Sequence, residues 1–149
     1  MNMTIREGKA EDVPAIMQLV KELAEYEKAS EEVTNTEEAM LEAGFGDKPI
    51  FNSFVAELDG KLVGISIFYP RYSTWKGKRL YLEDIVVTEE LRGQGVGKAL
   101  FERTVEEAKN TGCSGMMWQV LDWNNSAINF YRKYKTRFDN EWINCHLDF

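Results

Sequence analysis

Residues 92–98 carry the clearest chemical signal in the chain. They read Arg92-Gly93-Gln94-Gly95-Val96-Gly97-Lys98 and lie between an apolar segment that ends at Val87 and a helix-like pattern. Alternating glycines allow backbone conformations that a side chain forbids, so successive N–H groups can turn toward one point. Because the segment opens a helix, the positive end of the helix dipole lies at the same place. The segment therefore predicts a phosphate-binding turn that needs no cationic side chain.

Two well-known phosphate loops do not match this segment. A dinucleotide-binding G-x-G-x-x-G that starts at Gly93 requires glycine where Lys98 stands. A P-loop requires glycine in place of Arg92 and serine or threonine in place of Ala99. An ordinary strand-to-helix turn is the remaining alternative, although it does not require an arginine and three spaced glycines.

Hydrophobic periodicity predicts elements around this turn in the order β-α-α-β-β-β-α-β-α-β. Asp59-Gly60 predicts a tight hairpin, and Gly112 predicts the end of the helix that follows the turn. Thr34 and Glu37 predict a capping box for the second helix. The predicted strands cover residues 4–6, 51–58, 62–69, 79–87, 116–121 and 142–147, and the last helix covers 126–134. The strand at 116–121 is expected to be buried on both faces.

The length and composition are those of one folded domain over residues 1–149. The chain is 44% hydrophobic and 29% charged, which is typical of a soluble protein, and no apolar run approaches the roughly 18 residues of a membrane span. Cys113 and Cys145 lack metal-ligand spacing, and His146 is the one histidine, so neither a metal site nor a histidine-based triad is expected. Few cysteines are typical of a reduced, cytoplasmic protein.

The formal charge of −7 is concentrated at one end of the sequence. Residues 1–50 hold 12 acidic and 5 basic side chains, whereas the remainder is balanced. This distribution disfavours a nucleic-acid partner, whose phosphates require a basic face, and it suits a small cationic substrate. The alternative is that acidic helix faces serve solubility alone.

The segment Arg92-x-x-Gly95-x-Gly97 after an apolar strand resembles the acetyl-coenzyme A signature of the GCN5-related N-acetyltransferase (GNAT) superfamily. The chain is most similar to the diamine (spermidine/spermine) and thialysine acetyltransferases, through residues 21–27, 44–46, 75–78, 81–84 and 123–131. The resemblance covers nearly the whole chain. It implies an α/β (α+β) GNAT fold, with a mixed, mostly antiparallel sheet of about six or seven strands and about four flanking helices.

The resemblance implies that acetyl-CoA (coenzyme A, CoA) is the co-substrate and that no metal is needed. Its pyrophosphate is expected on the amides of the glycine turn, and its pantetheine arm along the strand before it. A donor on that strand can also polarise the thioester carbonyl. The implied cofactor-binding residues are Ile85, Val86, Val87, Arg92, Gly93, Gln94, Gly95, Val96, Gly97, Lys98, Asn124, Ser126 and Ala127. Asn124 and Ser126 have a second interpretation as simple helix N-caps.

Two residues match the catalytic positions of the family. Glu83 matches the glutamate that takes the proton of the attacking amine; the alternative is a carboxylate that only binds the cationic substrate. Tyr131 matches the general acid that protonates the departing thiolate; the alternative is a tyrosine that packs in the core. Lys135 stands where the family has a glycine that ends the helix, so we expect a strained or differently shaped cap.

The substrate-binding residues implied by the resemblance are acidic or aromatic for the most part. Such a pocket suits ammonium groups, although a solvated helix face or plain core is the alternative for each residue. They are Tyr26, Glu27, Trp75, Glu83, Met117, Trp118, Gln119 and Glu141.

These observations together predict transfer of an acetyl group from acetyl-CoA to a primary amine of a polyamine or a lysine-like amino acid such as thialysine. Attack is expected to be direct, since no cysteine or serine is placed as a nucleophile. The resemblance also implies a homodimer, with the C-terminal strand contributing to the interface. The alternatives are a protein N-terminal or lysine acetyltransferase of the same fold, and a CoA-binding sensor without catalysis.

Overall fold

The computed structural model describes residues 2–149. They divide into two compact units, with the boundary between Gln119 and Val120. The prediction of one domain over residues 1–149 stays a prediction. Among the described residues, no helix combines the length and apolarity that crossing a membrane requires.

The first unit contains a five-stranded sheet with the strand order β1-β2-β3-β4-β5. Its strands are β1 (Met3–Glu7), β2 (Asn52–Leu58), β3 (Lys61–Ser73), β4 (Gly77–Val87) and β5 (Met116–Met117). All neighbours are antiparallel except β4 and β5, which are parallel. The predicted mixed, mostly antiparallel sheet is confirmed, although it has fewer strands than the predicted six or seven.

The turn between β2 and β3 has the predicted hairpin geometry. Asp59 has a φ of 50° and Gly60 a φ of 83°. Two consecutive left-handed residues are typical of a type I′ turn, whose twist matches that of the flanking strands. The Asp59-Gly60 prediction is therefore confirmed.

Strand β5 is much shorter than the predicted strand 116–121. Only Met116 and Met117 pair with β4, opposite Leu80 and Tyr81. Met117 is exposed, so the prediction of burial on both faces is wrong. The next residue, Trp118, is outside the strand and packs edge-on against Phe101, with the ring centroids 5.3 Å apart.

Four helices accompany the strands: α1 (Val13–Tyr26), α2 (Glu37–Phe45) and α3 (Val96–Asn110) in the first unit and α4 (Asn125–Arg132) in the second. Helix α1 buries Val13, Ile16 and Met17 in a core cluster with Ile65 and Val86 of the sheet. Helix α1 therefore packs against one face of the sheet, over β3 and β4.

The start of α2 differs from the prediction. The hydroxyl of Thr36, not Thr34, accepts a hydrogen bond from the Ala39 N–H at 3.1 Å. Glu37 is already the first helical residue. The predicted Thr34–Glu37 capping box is wrong, because Thr36 keeps the extended backbone of an N-cap and the helix begins two residues later than that box requires.

Helix α3 packs closely on the opposite face of the sheet. A Cβ at Gly64 of β3 would lie 2.9 Å from Leu100 Cδ1 and 3.2 Å from Val96 Cγ1. The buried hydroxyls of Ser66 and Thr104 share a 2.7 Å hydrogen bond. These contacts fix the first turns of α3, and with them the glycine turn. Gly112, with a φ of 78°, follows the end of this helix as predicted.

The second unit contains α4 and an extended C-terminal segment. Helix α4 is close to the predicted 126–134 but ends at Arg132. The predicted strand 142–147 is wrong: residues 133–149 form neither helix nor strand. A strand needs a paired edge, and the strand pairings in the described part of the chain end at Met117. Trp142, Ile143 and Leu147 are consequently 73%, 87% and 82% exposed.

Candidate active site

The backbone amides of the glycine turn, residues 93–98, lie at the N-terminus of α3. Gly93 and Gly95 have φ values of 78° and 89°, and Gly95 is the N-cap of α3, without a side chain to cap the helix. The first α3 hydrogen bond runs from the Ala99 N–H to the Gly95 carbonyl at 3.1 Å. Among the described residues, no hydrogen bond of ordinary length and angle runs from the amides of residues 93–98 to a backbone acceptor outside α3. Such amides at a helix N-terminus are the donors that a phosphate requires.

The space beside these amides is open. A Cβ at Gly93 or Gly95 would meet no atom within 4 Å, and both residues are exposed. Glycine is thus required here by the left-handed backbone rather than by crowding. The donor set and the open side fit a pyrophosphate group.

The Arg92 side chain points away from this amide group. Its Nε donates to the Val87 carbonyl at 3.2 Å, and its Cζ lies 5.0 Å from the centroid of the Tyr26 ring. Tyr26 is the last residue of α1. The Arg92 guanidinium is therefore held at the C-terminal end of α1.

The end of β4 has an open edge that leads into the glycine turn. Strand β5 pairs only with Leu80 and Tyr81, so the later residues of β4 have no paired strand on that side in the described part of the chain. The Thr88 N–H donates to the Val63 carbonyl at 2.9 Å, which sets the alternation of the β3–β4 ladder. By that alternation, the backbone groups of Ile85 and Val87 point to the open edge, whereas those of Val86 point to β3. An extended ligand arm can pair with this edge as an added strand does.

Glu83 is the extra residue of a β-bulge in β4. Ile67 pairs with Asp84 and Phe68 pairs with Leu82, so Glu83 has no partner residue on β3. A bulge redirects a side chain and interrupts pairing. The hydroxyl of Tyr69 donates to Glu83 Oε1 at 2.8 Å.

Glu83 belongs to a group that we call the acidic cluster, namely Glu27, Tyr69, Tyr81, Glu83 and Asp84. The rings of Tyr69 and Tyr81 lie 5.4 Å apart, and Arg71 lies over the Tyr81 ring. Three carboxyl groups beside two aromatic rings favour a cationic ligand.

The pKa values of the cluster reflect burial and mutual repulsion. Burial raises the pKa of Asp84 to about 7, and the negative charges of Glu83 and Glu27 add to the shift. Burial also raises the pKa of Glu27. The pKa values of the Tyr69 and Tyr81 hydroxyls are raised too, first by burial and then by Glu83. A cation that binds here relieves an unfavourable concentration of negative charge.

Tyr69, Tyr81 and Asp84 are the cluster members that the sequence does not single out, and Asp84 is the carboxyl group among them. It directly follows Glu83 in the segment 81–84, and that adjacency is the one available signal. Its environment depends on Glu27 at the end of α1, which is distant in sequence.

Of the other predicted substrate residues on or after β3, Met117 adjoins the acidic cluster, whereas Trp118, Gln119 and Trp75 have no described contact with it. Met117 pairs with Tyr81 across the β4–β5 ladder, and its sulfur accepts from Arg71 Nη1 at 2.7 Å. Trp118 packs on Phe101, and Gln119 is exposed. Trp75 is 82% exposed in the turn between β3 and β4, and no described contact joins it to the acidic cluster.

In the second unit, Asn124 acts as the N-cap of α4. Its Oδ1 accepts from the Ala127 N–H at 3.2 Å, and the residue is buried. Ser126 lies in the first turn of α4. The capping interpretation of Asn124 is thus observed, and the coenzyme role of these residues stays a prediction.

Tyr131 is buried in the second unit, with 6% of its surface exposed. Its ring packs edge-on against Phe130 at 5.4 Å, and its carbonyl accepts from the Thr136 hydroxyl at 2.8 Å. Lys135 does not adopt a left-handed backbone, so Thr136 replaces the usual glycine cap. Glu141 is exposed, and its N–H donates to Asp139 Oδ1.

The described residues contain no group of three or more histidine, cysteine, aspartate or glutamate side chains arranged to hold a metal ion. Cys113 and Cys145 are both free thiols.

Comparison with known proteins identifies the family. The model of the acetyltransferase (GNAT) family matches residues 14–135. The chain is 44% identical over 136 residues to thialysine N-epsilon-acetyltransferase of Bos taurus, a match that covers 86% of this chain and 80% of that protein. It is 40% identical over 134 residues to spermidine/spermine N(1)-acetyltransferase-like protein 1 of Homo sapiens, covering 85% of this chain and 19% of the relative.

A solved structure gives the same fold. The aminoglycoside N-acetyltransferase AAC(6')-Iy in complex with CoA superposes with a TM-score of 0.78 at 21% identity, covering 98% of this chain and 95% of that one. Since the family model spans most of the sequence, the chain belongs to the GNAT family and is an N-acetyltransferase.

Proposed function

We propose that this enzyme transfers the acetyl group of acetyl-CoA to a primary amine of a small cationic substrate, either a polyamine or a lysine-like amino acid such as thialysine. One observation carries the proposal: three members of the acidic cluster, Tyr81, Glu83 and Asp84, lie on the strand whose open edge leads into the glycine turn. This arrangement supports a cation site and a phosphate site on consecutive parts of one unit. The names of the relatives at 40% and 44% identity support this class of acceptor.

The glycine turn and the end of β4 are the residues that hold acetyl-CoA in this proposal. The amides of residues 93–98 bind its pyrophosphate, and the backbone groups of Ile85 and Val87 bind its pantetheine arm. When bound, acetyl-CoA supplies an acetyl thioester to the end of this edge that is nearest Glu83.

Glu83 takes the proton of the amine, directly or through a water molecule. A primary amine with a pKa near 10.4 is only about 0.04% unprotonated at pH 7, a handicap of roughly 4.6 kcal/mol. A positioned carboxylate reduces that handicap. The Tyr69 hydroxyl fixes the orientation of Glu83, and Glu27 and Asp84 attract the ammonium groups of the substrate.

Tyr131 donates the second proton, to the departing thiolate. A tyrosine hydroxyl with a pKa near 10 keeps its proton at neutral pH, so it can donate a hydrogen bond to the departing sulfur and transfer the proton as the carbon–sulfur bond breaks. Attack by the amine is direct, without an acyl-enzyme.

We also propose a cytoplasmic homodimer that acts on a free small molecule rather than on nucleic acid or a membrane. Two free cysteines and the charge of −7 support this. The exposed apolar side chains of residues 142–149 are the surface that a second copy would cover.

The test is an assay of CoA release over spermidine, spermine, thialysine, lysine and lysine-containing or free N-terminal peptides. We expect kcat/KM to be highest for a free di- or polyamine or for thialysine, with the acetylated product identified by mass spectrometry. Acetylation of peptides alone would indicate a protein acetyltransferase. Acetyl-CoA binding without release of CoA by any amine would indicate a sensor.

A further inference from the structure

Two contacts join the last turns of α1 to the segment that enters the glycine turn. The Arg92 guanidinium lies over the Tyr26 ring, and the Thr88 hydroxyl, which donates to Glu90 Oε2 at 3.0 Å, lies 3.5 Å from Glu22 Oε1. Glu22 and Tyr26 are four residues apart and share one face of the helix. Thr88 and Arg92 directly flank the short 3-10 helix Glu89–Leu91. The two contacts thus lie side by side.

Arg92 makes the more direct of these links. Its Nε is bonded to the Val87 carbonyl, so the side chain is anchored at the end of β4 while the face of its guanidinium covers Tyr26. The residue after Arg92 is Gly93, the first left-handed residue of the turn. The residue after Tyr26 is Glu27, whose charge acts on Asp84 in the acidic cluster. The Arg92 side chain therefore links the glycine turn, which begins at Gly93, to the end of α1, where Glu27 of the acidic cluster lies.

We propose that Arg92 is a positioning residue that couples the two binding sites, so that CoA and the cationic amine each strengthen the binding of the other. The inference rests on the proposed function, which assigns the turn to CoA and the cluster to the amine. A CoA molecule that orders the turn holds Arg92 in place, and Arg92 then holds the end of α1. Because coupling of binding free energies is reciprocal, the amine favours CoA binding by the same factor.

The experiment is a double-mutant cycle on CoA affinity, measured by isothermal titration calorimetry without any amine. The variants are Tyr26→Leu, Arg92→Gln and the double variant, and Tyr26→Phe is the control that retains the ring. Both positions are partly or fully exposed, and thermal unfolding verifies that each variant is folded. If Tyr26→Leu does not fold, Tyr26→Met removes the ring with more side-chain flexibility.

We expect Tyr26→Leu to weaken CoA binding by about threefold to tenfold, the range of a cation–π contact at a partly exposed site. The same change in the Arg92→Gln background should have no further effect, and Tyr26→Phe should bind CoA like the wild type. Equal effects in both backgrounds, or an unchanged dissociation constant for Tyr26→Leu, would overturn the coupling.

A second titration tests reciprocity. Spermidine at a fixed concentration should tighten CoA binding to the wild type and should do so less in Arg92→Gln; equal tightening in both proteins contradicts the coupling. The outcomes also separate the two proposals. A wild type that binds no CoA overturns the proposed function and the coupling together, whereas an additive cycle with intact CoA binding overturns the coupling alone.

Discussion

The hydroxyl of Tyr69 donates a 2.8 Å hydrogen bond to Glu83, a residue that a β-bulge leaves without a partner on the neighbouring strand. The bulge frees the carboxylate from the regular alternation of β4, and the tyrosine then fixes its orientation. The candidate base is thus positioned by two features of the sheet rather than by a loop.

Removal of the Tyr69 hydroxyl tests this arrangement. We expect Tyr69→Phe to lower kcat/KM by about tenfold, since a hydrogen bond to a charged group contributes about 1.5–3 kcal/mol. Steady-state CoA release measures the effect. Tyr72→Phe is a matched control on the same strand, because Tyr72 is exposed. An equal loss in both variants would show that the bond to Glu83 has no special role.

Replacement of Glu83 separates the two interpretations of this residue. We expect Glu83→Gln to lower kcat by about a hundredfold or more. Without a base, the rate depends on the fraction of free amine, so the loss should be largest at low pH and smaller as pH approaches the pKa of the amine. A pH profile of kcat/KM from 6 to 9 measures this, with Glu106→Gln on the exposed side of α3 as control. A loss that is constant over this range indicates that Glu83 only binds the substrate.

Asp84 should make the stability of the fold depend on pH. Its pKa is raised to about 7 in the folded protein from an ordinary value of 3.8. The unfolded chain therefore loses this proton first, and the wild type loses stability as pH rises from about 4 to about 7. We expect Asp84→Asn to raise the free energy of unfolding by about 1–3 kcal/mol at pH 8 and to have little effect near pH 4.

Urea unfolding at several pH values measures this difference. Asp47→Asn is the control, because Asp47 is exposed. A gap between Asp84→Asn and the wild type that stays the same at pH 4 and pH 8 would contradict the pKa of Asp84.

Tyr131 should act on turnover rather than on cofactor affinity. We expect Tyr131→Phe to lower kcat by about a hundredfold while the dissociation constant of acetyl-CoA changes by less than about twofold. Tyr134→Phe is a suitable control in the same unit, since the Tyr134 ring also packs on Phe130, with the centroids 5.7 Å apart. An unchanged kcat would remove Tyr131 as the proton donor.

The sequence predicts best those features that local chemistry determines. The Asp59-Gly60 hairpin, the helix end at Gly112 and the left-handed glycines at 93 and 95 all follow from backbone preferences of a few neighbouring residues. Helix α1 follows from its apolar spacing.

Features that depend on distant partners could not be predicted in this way. The bulge at Glu83 follows from the β3–β4 register, and the environment of Asp84 depends on Glu27. The apolar segment 142–147 reads as a strand, but a strand also requires an edge to pair with, which periodicity does not reveal. The predicted strand 116–121 ends at Met117, and the next side chain, Trp118, packs on Phe101 of α3, a contact between distant residues that periodicity does not reveal.

The central claim is that the left-handed glycine turn binds CoA, and the CoA affinity of two matched glycine variants tests it most directly. Gly95 and Gly60 have φ values of 89° and 83°, and a Cβ at either would meet no atom within 4 Å. Gly95→Ala and Gly60→Ala should therefore lose similar stability, about 1–2 kcal/mol. We predict that Gly95→Ala weakens CoA binding at least about tenfold in calorimetry while Gly60→Ala binds like the wild type. Wild-type affinity in Gly95→Ala would contradict the account.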